Sequence, residues 1–520
     1  MILKKVFIPC AGIGSRLENI TKDISKALVP INHKPIISHI IENFNKDVTF
    51  VIALGHKGEL LKDYLNCAHH DRKFKFVKIN NFKGPKSSLG LTLNICKKFL
   101  KEPFIFCSCD TFFTKNIKYL NYDWVAYDVK NKNLDSYRKL NISKGKIIIT
   151  EKNSKSKNCY IGLAGIFDYK KFWTNFENHL SLSLRTGEIA ALNSLKLKKK
   201  RFKWYDAGNI DSLNQIKKIS ENKNFNILHK EDELIWFANN RVIKFHKDSR
   251  LIKKKVNRSN KLDNFVPKVI FHKKNLFGYN YIEGKTFSEN KKKDNFELLL
   301  KYSKIFWKKK KLSTKENLFF NDCCQKFYKL KTINRISAFL KKYKIKGKEE
   351  LINGRKTENI FKLLKKINWQ NISKGMPVRF HGDYHFENII FSHNKFSFID
   401  WRQDFSGIIN YGDIYYDLAK LLHGIIVSHK IVNNNKFSYI KKNNKITVSI
   451  KKMKNYHYYL KNYKAWIIKN EYDFKKIEIL TALIYLNIAV LHHHPYDKFL
   501  FYYGKLYLHT LLKNDAKKKN

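Results

Sequence analysis

The chain has 520 residues, 43% of them hydrophobic and 14% aromatic, which excludes a disordered or fibrous polymer and is too long for one ordinary core, so two domains are expected. Lys and Arg number 103 against 44 Asp and Glu, a net charge of +59. The excess is spread along the whole length and not gathered in one arm, so it reads as solvated lysine-rich surface; no specific nucleic-acid partner is expected, although anionic nucleotides gain from the field.

Eight cysteines show neither a disulfide framework nor paired zinc spacing. Reduced, buried thiols in a cytoplasmic protein are therefore expected. The apolar start Met1 to Ile8 is too short for a signal peptide, and no run reaches the length of a membrane helix.

In chain order, Val6 to Pro9 reads as a strand, and the loop Cys10-Ala11-Gly12-Ile13-Gly14-Ser15-Arg16-Leu17 follows it. Ile36 to Phe44 has helical spacing, Val48 to Leu54 and Phe76 to Ile79 read as strands, and Gly84-Pro85 as a turn. A helix from about Ser88 to Leu100 leads to strand Phe104 to Ser108, which ends at Asp110. Strands alternating with helices predict an α/β domain with a doubly wound, mostly parallel, Rossmann-like sheet whose ligands sit beyond the carboxyl ends of its strands. Gly12 and Gly14, directly after a strand, let the backbone wrap phosphates where side chains would collide. A dinucleotide fingerprint is incomplete, because Leu17 stands at its third glycine, and no Gly-Lys-Ser/Thr closes a P-loop. Arg16 and Lys26 add two cations to the loop.

These residues, with Ser25-Lys26-Ala27-Leu28 and Trp204-Tyr205-Asp206-Ala207-Gly208, resemble the sugar-phosphate and phosphocholine nucleotidyltransferases over roughly residues 1–220. That family carries an A-G-x-G-S-R-L loop, a P-K-A-L segment, whose proline is Ser25 here, and a W-x-D-x-G segment. The resemblance implies that Ala11, Gly12 and Gly14 wrap the nucleotide, that Arg16 and Lys26 act on its phosphates, and that Asp110 and Asp206 hold Mg²⁺. Glu188 is a weaker candidate for touching substrate, and Ser87 for a helix cap.

A helix from Ser212 to Ser220 and the polar stretch Glu221 to Asn226 set the expected boundary between domains 1–222 and 227–520. Beyond it, Glu233 to Ala238 and Arg241 to Phe245 read as a hairpin turning at Asn239-Asn240. A small lobe of about 227–285 and a helical large lobe of about 286–520 follow, an α+β arrangement.

Far downstream, His381-Gly382-Asp383-Tyr384-His385-Phe386-Glu387-Asn388 has the H-x-D-x-x-x-x-N spacing of a kinase catalytic loop, and twelve residues on, strand Phe396 to Ile399 delivers Asp400. Kinase chemistry needs a carboxylate to accept a hydroxyl proton, plus an amide oxygen and a second carboxylate for metal. With Ile399-Asp400-Trp401 and Gly412-Asp413-Ile414-Tyr415-Tyr416-Asp417, the segment resembles the aminoglycoside phosphotransferase and choline kinase family. The resemblance implies a two-lobed, protein-kinase-like fold, with Asp383 as base, Asn388 and Asp400 as Mg²⁺ ligands, His381 bracing the loop and Lys244 on the ATP phosphates. No glutamate between 251 and 262 pairs with Lys244; Glu231 and Asp248 are candidates. Asp413 and Asp417 read as structural, and His385 as packing or surface.

Together these motifs predict a bifunctional enzyme that uses ATP to phosphorylate a small alcohol and then CTP or another NTP to activate the product, with a CDP-linked head group for surface glycan or lipid decoration as the first reading. The alternative is a sugar anomeric kinase joined to a sugar-1-phosphate nucleotidyltransferase. A reading from another class is a basic nucleic-acid or membrane-surface binder with degenerate sites. Choline fits poorly: Trp401, Tyr411, Tyr415 and Tyr416 offer rings, but Arg402 stands where choline kinases commonly carry glutamate.

Overall fold

A computed structural model of the chain describes residues 4–113, 116–117, 119–130, 134–143, 145–150, 156–219, 227–228, 232–289 and 292–519. The backbone divides into two compact units, residues 1–223 with 235–247, and 224–234 with 248–520. The expected boundary stretch Glu221 to Asn226 and the candidate Glu231 lie outside the described residues.

In the first unit, β1 (Lys5–Cys10), α1 (Ile36–Glu42), β2 (Thr49–Leu54), α2 (Gly58–Ala68), β3 (Lys73–Lys78), α3 (Leu89–Cys96) and β4 (Phe104–Cys107) alternate as the sequence predicts. Strand β1 pairs in parallel with both β2 and β4, and β2 with β3. Val6, Phe7 and Ile8 are fully buried, as a central parallel strand covered on both faces requires. Short β5 (Thr111–Phe113) follows, and then β6 (Trp124–Val129), β7 (Lys139–Ser143), β8 (Lys146–Thr150) and β9 (Asn158–Ile166). Strand β9 lies antiparallel to β4 and β6, so the parallel half of the sheet continues into a mixed half.

Helix α4 (Leu180–Thr186) packs on α3, and strands β10 (Lys198–Arg201) and β11 (Trp204–Asp206) come next. β11 pairs antiparallel with β5 in a register that sets Asp206 opposite Thr111. That short ladder brings a residue from late in the unit beside the loop that ends β4. Ser88, rather than Ser87, caps α3 by accepting from Leu91 N–H at 3.0 Å, while Ser87 Oγ bonds the Gly84 carbonyl at 2.7 Å.

The hairpin of β12 (Glu233–Ala238) and β13 (Arg241–His246) turns at Asn239 and Asn240, whose φ values of 47° and 56° are those of a tight primed turn. The sequence reading gives this hairpin to the second domain; by its contacts, 235–247 groups with the first unit. Fully buried Trp236 meets Tyr64 edge-on at 5.1 Å, Phe237 N–H donates to the His33 carbonyl at 2.8 Å, and Arg241 bonds the Cys67 carbonyl.

The second unit contains α5 (Ser249–Ser259), α6 (Thr314–Gln325) and α7 (Lys331–Tyr343). α6 starts with a full capping box of Ser313 and Glu316, and a five-residue π turn joins it to α7. Strands β14 (Glu350–Ile352) and β15 (Arg355–Thr357) precede the hairpin of β16 (Ile389–Ser392) and β17 (Lys395–Phe398). Helix α8 (Ile414–Ile426) is buried along its entire length. β18 (Phe437–Lys442) and β19 (Lys445–Ile450) then join β14 and β15 in a four-stranded sheet of order β15-β14-β19-β18, which the expectation of a helical large lobe with the one strand Phe396 to Ile399 does not contain. Helices α9 (Phe474–Ala489) and α10 (Tyr496–Lys519) pack against each other. Among the described residues no helix is long and apolar enough to cross a membrane.

Packing of α3 on α4 depends on Gly90, where a Cβ would lie 2.6 Å from Leu184 Cα and closer still to the Ser183 carbonyl. Gly90→Ala is expected to cost about 1–3 kcal/mol through overpacking, read as a lower urea midpoint for the first unit; an unchanged midpoint would contradict this packing.

Two candidate active sites

In the first unit the loop after β1 turns through Gly14, whose φ of 73° is left-handed, and whose carbonyl accepts Leu17 N–H at 2.9 Å and Thr21 Oγ at 3.1 Å. Ala11 is buried and its carbonyl accepts His56 N–H at 3.0 Å. A Cβ at Gly12 would meet nothing within 4 Å, so the fold itself places no demand for glycine there. Lys26 sits on a short 3₁₀ turn, Lys26–Leu28, anchored by buried Ala27 and Leu28, and its ammonium is ion-paired with Asp110. Arg16 Nη2 stands 3.9 Å from the same carboxylate.

Asp206 joins this group through the β5–β11 ladder. Its Oδ1 accepts Gly208 N–H at 2.7 Å, and Oδ2 accepts from Asn209 Nδ2 at 3.2 Å and Tyr137 OH at 3.3 Å. A Cβ at Gly208 would lie 2.7 Å from both Asp110 Oδ2 and Asp206 Oδ1 and 3.1 Å from Arg16 Nη2. Glycine there lets the two carboxylates and the arginine converge. Burial opposes a charge on Asp110, but Lys26 and then Arg16 outweigh it and hold its pKa below the usual value; Asp206 is pushed up by burial and by the Asp110 charge. Glu188 is buried beside Tyr160, and burial raises its pKa.

In the second unit the loop 381–388 is held from behind by Asp417 on α8. Its Oδ2 accepts His381 N–H at 2.6 Å and Trp307 Nε1–H at 3.0 Å, and its Oδ1 accepts Gly382 N–H at 2.7 Å. Burial lifts its pKa to about 6. Asp413 binds backbone likewise, at Met376 N–H (2.9 Å) and Tyr415 N–H (3.2 Å). His381 is fully buried, and burial lowers its pKa to about 3, so it stays neutral and its Nδ1 accepts Asp383 N–H at 3.2 Å.

The Asp383 carboxylate takes Lys420 Nζ at 2.6 Å on Oδ1 and Asn388 Nδ2 at 3.2 Å on Oδ2. Asn388 Nδ2 also donates to the Asp383 carbonyl at 2.9 Å, so the amide's donor end is spent on Asp383 and its oxygen is the end left for a cation. His385 is buried, not at the surface: Nε2 lies 3.6 Å from Asp383 and Nδ1 3.1 Å from Glu387, and despite burial these carboxylates raise its pKa. Glu387 accepts His429 N–H at 2.7 Å; burial opposes its charge, but His429 and His385 hold its pKa down at about 2. Asp400 has a left-handed φ of 57° and bonds Lys255 Nζ at 2.9 Å. Thus α5 carries a lysine facing Asp400 and no glutamate for Lys244, which is buried on β13 in the first unit's hairpin.

The rings considered for a cage do not form one. Trp401 is core, donating to the Lys255 carbonyl at 2.9 Å, and Tyr411 packs on Phe320 at 5.5 Å. Lys476 lies 4.2 Å from the Tyr415 ring and Lys331 5.6 Å from that of Tyr416. Sequence reasoning missed Lys420, Lys255 and Lys331. Lys420 had a local signal, a lone cation in the apolar run Leu418-Ala419-Lys420-Leu421-Leu422, whereas Lys255 is hidden in Lys253-Lys254-Lys255.

Residues 349–431 match the model of the phosphotransferase enzyme family, APH. The N-terminal region is 29% identical over 151 residues to D-glycero-alpha-D-manno-heptose 1-phosphate guanylyltransferase of Campylobacter jejuni, covering 28% of this chain and 66% of that one. It is 28% identical over 198 residues to the bifunctional protein GlmU of Methanococcus vannielii, covering 36% of this chain and 46% of that one. A probable glucose-1-phosphate cytidylyltransferase of Bacillus subtilis is 33% identical over 88 residues, 16% of this chain and 34% of that one. The chain thus spans about two thirds or less of these relatives. Its N-terminal region is similar to sugar-phosphate nucleotidyltransferases, and residues 349–431 match the APH phosphotransferase family, which supports an enzyme of the transferase class.

Two measurements check the second site's framework. Asp417→Asn turns an amide N–H₂ against backbone donors and is expected to cost about 2–3 kcal/mol in urea unfolding, as buried donors lose their acceptor. His381, neutral to about pH 3 when folded but titrating near its ordinary 6.5 when unfolded, costs stability as pH falls through that window, by at most about 1.4 kcal/mol per pH unit. His381→Gln should therefore show a shallower loss of urea midpoint between pH 6.5 and 5 than the parent chain; an equal slope would contradict a buried neutral His381.

Proposed function

We propose that the chain is a bifunctional enzyme in which one unit transfers the γ-phosphoryl group of ATP to a hydroxyl and the other couples the resulting phosphomonoester to a nucleotidyl group from an NTP. The observation that carries this reading is the convergence of Arg16, Lys26, Asp110 and Asp206 around Gly208 in a chain that also holds Asp383, Asn388 and Asp400 in one loop-and-strand set. The names of the N-terminal relatives favour a sugar 1-phosphate as the acceptor of the nucleotidyl group over the phosphorylated small alcohol of the first sequence reading. CTP is one choice of nucleotide and GTP another, and the product is an activated group for surface glycan or lipid decoration.

In the phosphotransferase unit, Asp383 accepts the proton of the acceptor hydroxyl as its oxygen bonds the γ-phosphorus, the bond from that phosphorus to the β–γ bridging oxygen breaks, and ADP leaves. His381 and Asp417 fix the loop. The resemblance alone assigns Lys244 to the ATP phosphates. In the nucleotidyltransferase unit, a phosphomonoester oxygen attacks the α-phosphorus and pyrophosphate leaves; Arg16 and Lys26 offset the repulsion between two anions, and Ala11, Gly12 and Gly14 let the backbone approach the triphosphate. Asp110 with Asp206, and Asn388 with Asp400, would hold Mg²⁺: each set offers oxygen donors, and Asp206, pushed up by burial and by Asp110, is a carboxylate that a divalent cation would relieve. Bound there, Mg²⁺ supplies charge neutralisation on the phosphates.

The test is a screen of alcohols and sugars with ATP and each NTP, following ADP and pyrophosphate separately. Asp110→Ala should abolish pyrophosphate and keep ADP release. Asp383→Ala should cut ADP release by about 10²–10⁴-fold, the range for a general base, with pyrophosphate restored by supplying the phosphorylated acceptor. If either variant leaves its own step intact, the site assignment fails; salt-sensitive RNA binding with no turnover would favour the basic binding protein instead.

A further inference from the structure

Beside the catalytic carboxylate of the second unit stands a group of cations with too few carboxylates to balance them. Arg402 packs directly on the catalytic loop: a Cβ at Gly382 would lie 2.5 Å from Arg402 Cβ and 3.0 Å from its Cδ. Its guanidinium stands 4.8 Å from the centre of the Phe327 ring, and Lys331 Nζ stands 4.0 Å from the same ring. Lys331 also faces Tyr416, on the helix that carries Lys420. Lys420 spends its charge on Asp383 at 2.6 Å.

Lys331 and Arg335, one turn apart on α7, are half-buried, and neither they nor Arg402 make an ion pair with a carboxylate among the described residues. Burial pulls the Lys331 pKa well down, and Arg402 and Arg335 pull it further. Arg335 falls for the same reasons, burial and then Arg402. On an exposed surface such cations cost nothing, and most of the +59 charge is of that kind. Partly desolvated and crowded beside an active carboxylate, they repel one another unless an anion joins them.

Resting on the phosphotransferase reading of this unit, we propose that its acceptor carries an anionic substituent, a phosphate or a carboxylate, in addition to the hydroxyl that is phosphorylated, and that Lys331, Arg335 and Arg402 bind it. Arg402 is then the specificity element that replaces an acidic recognition of cationic alcohols. The ring faces of Tyr416 and Phe327, already covered by the chain's own cations, leave a quaternary ammonium no partner there. The product carries two anionic groups, and the enzyme that supplies the acceptor is one that makes a phosphorylated or acidic hydroxy compound.

The experiment uses the full chain and four hexoses that differ in one substituent: glucose, glucosamine, glucose 6-phosphate and glucuronate. Each is titrated calorimetrically with a non-hydrolysable ATP analogue present, and each is offered as acceptor with ATP. At least tenfold tighter binding of glucose 6-phosphate or glucuronate than of glucose and glucosamine is expected, and whichever anion wins separates phosphate from carboxylate. Lys331→Met and, separately, Arg402→Met should erase at least fivefold of that advantage and raise KM more than they lower kcat. Circular dichroism confirms that each variant is folded. Equal or tighter binding of glucose or glucosamine, no measurable binding of either anion, or an advantage untouched by both variants would overturn the proposal. Anion binding that depends on Lys331 with no phosphoryl transfer to any acceptor would sink the phosphotransferase reading and leave the anion site standing.

Discussion

Three of the four aspartates in the two candidate sites are each held by a lysine. Asp110 lies against Lys26, Asp383 against Lys420 and Asp400 against Lys255, with Lys420 buried and the other five side chains partly buried. An ionised carboxylate moved into the interior without a partner costs several kcal/mol, and chemistry on phosphates needs carboxylates that stay ionised and dry. Lysine meets both demands at once. It supplies the opposing charge, and its flexible stem can yield to a metal or a phosphate.

The same constraint explains the unequal treatment of neighbouring groups. Asp206 has no lysine of its own and is pushed up by burial and by Asp110, so the first site holds one firmly ionised carboxylate and one that gains from a cation. In the second unit, Asp417 is not a counter-ion; it spends its oxygens on three N–H donors and fixes the loop that carries Asp383. Where cations outnumber carboxylates, at Lys331, Arg335 and Arg402, the imbalance points outward to a ligand.

Much of this was legible in the sequence, for identifiable reasons. Strand β1 with its glycine loop, Asp110 at a strand end and the Asp383–Asn388–Asp400 spacing are local patterns, fixed by neighbours in the chain. The Asn239-Asn240 turn followed from what asparagine tolerates. What sequence could not give was distance across the fold. Lys26 and Asp110 are separated by 84 residues and Lys255 and Asp400 by 145, and in a chain this rich in lysine no single one stands out. The three-residue strand Glu350–Ile352 is too short to show a period and is held both by its local hairpin with Arg355–Thr357 and by distant Lys445 and Ile446. The hairpin's allegiance to the first unit rests on Trp236 finding Tyr64, a contact between residues that no motif connects.

On the proposed function, the two units share one phosphorylated intermediate. The most direct measurement follows the γ-phosphate of ATP, isotopically labelled, through a one-pot reaction of the full chain with acceptor and NTP. A shared intermediate carries the label into the phosphate that joins acceptor to nucleoside in the final product, with unlabelled pyrophosphate released from the NTP. Label found only in inorganic phosphate, or a nucleotide-linked product formed without label, would contradict it.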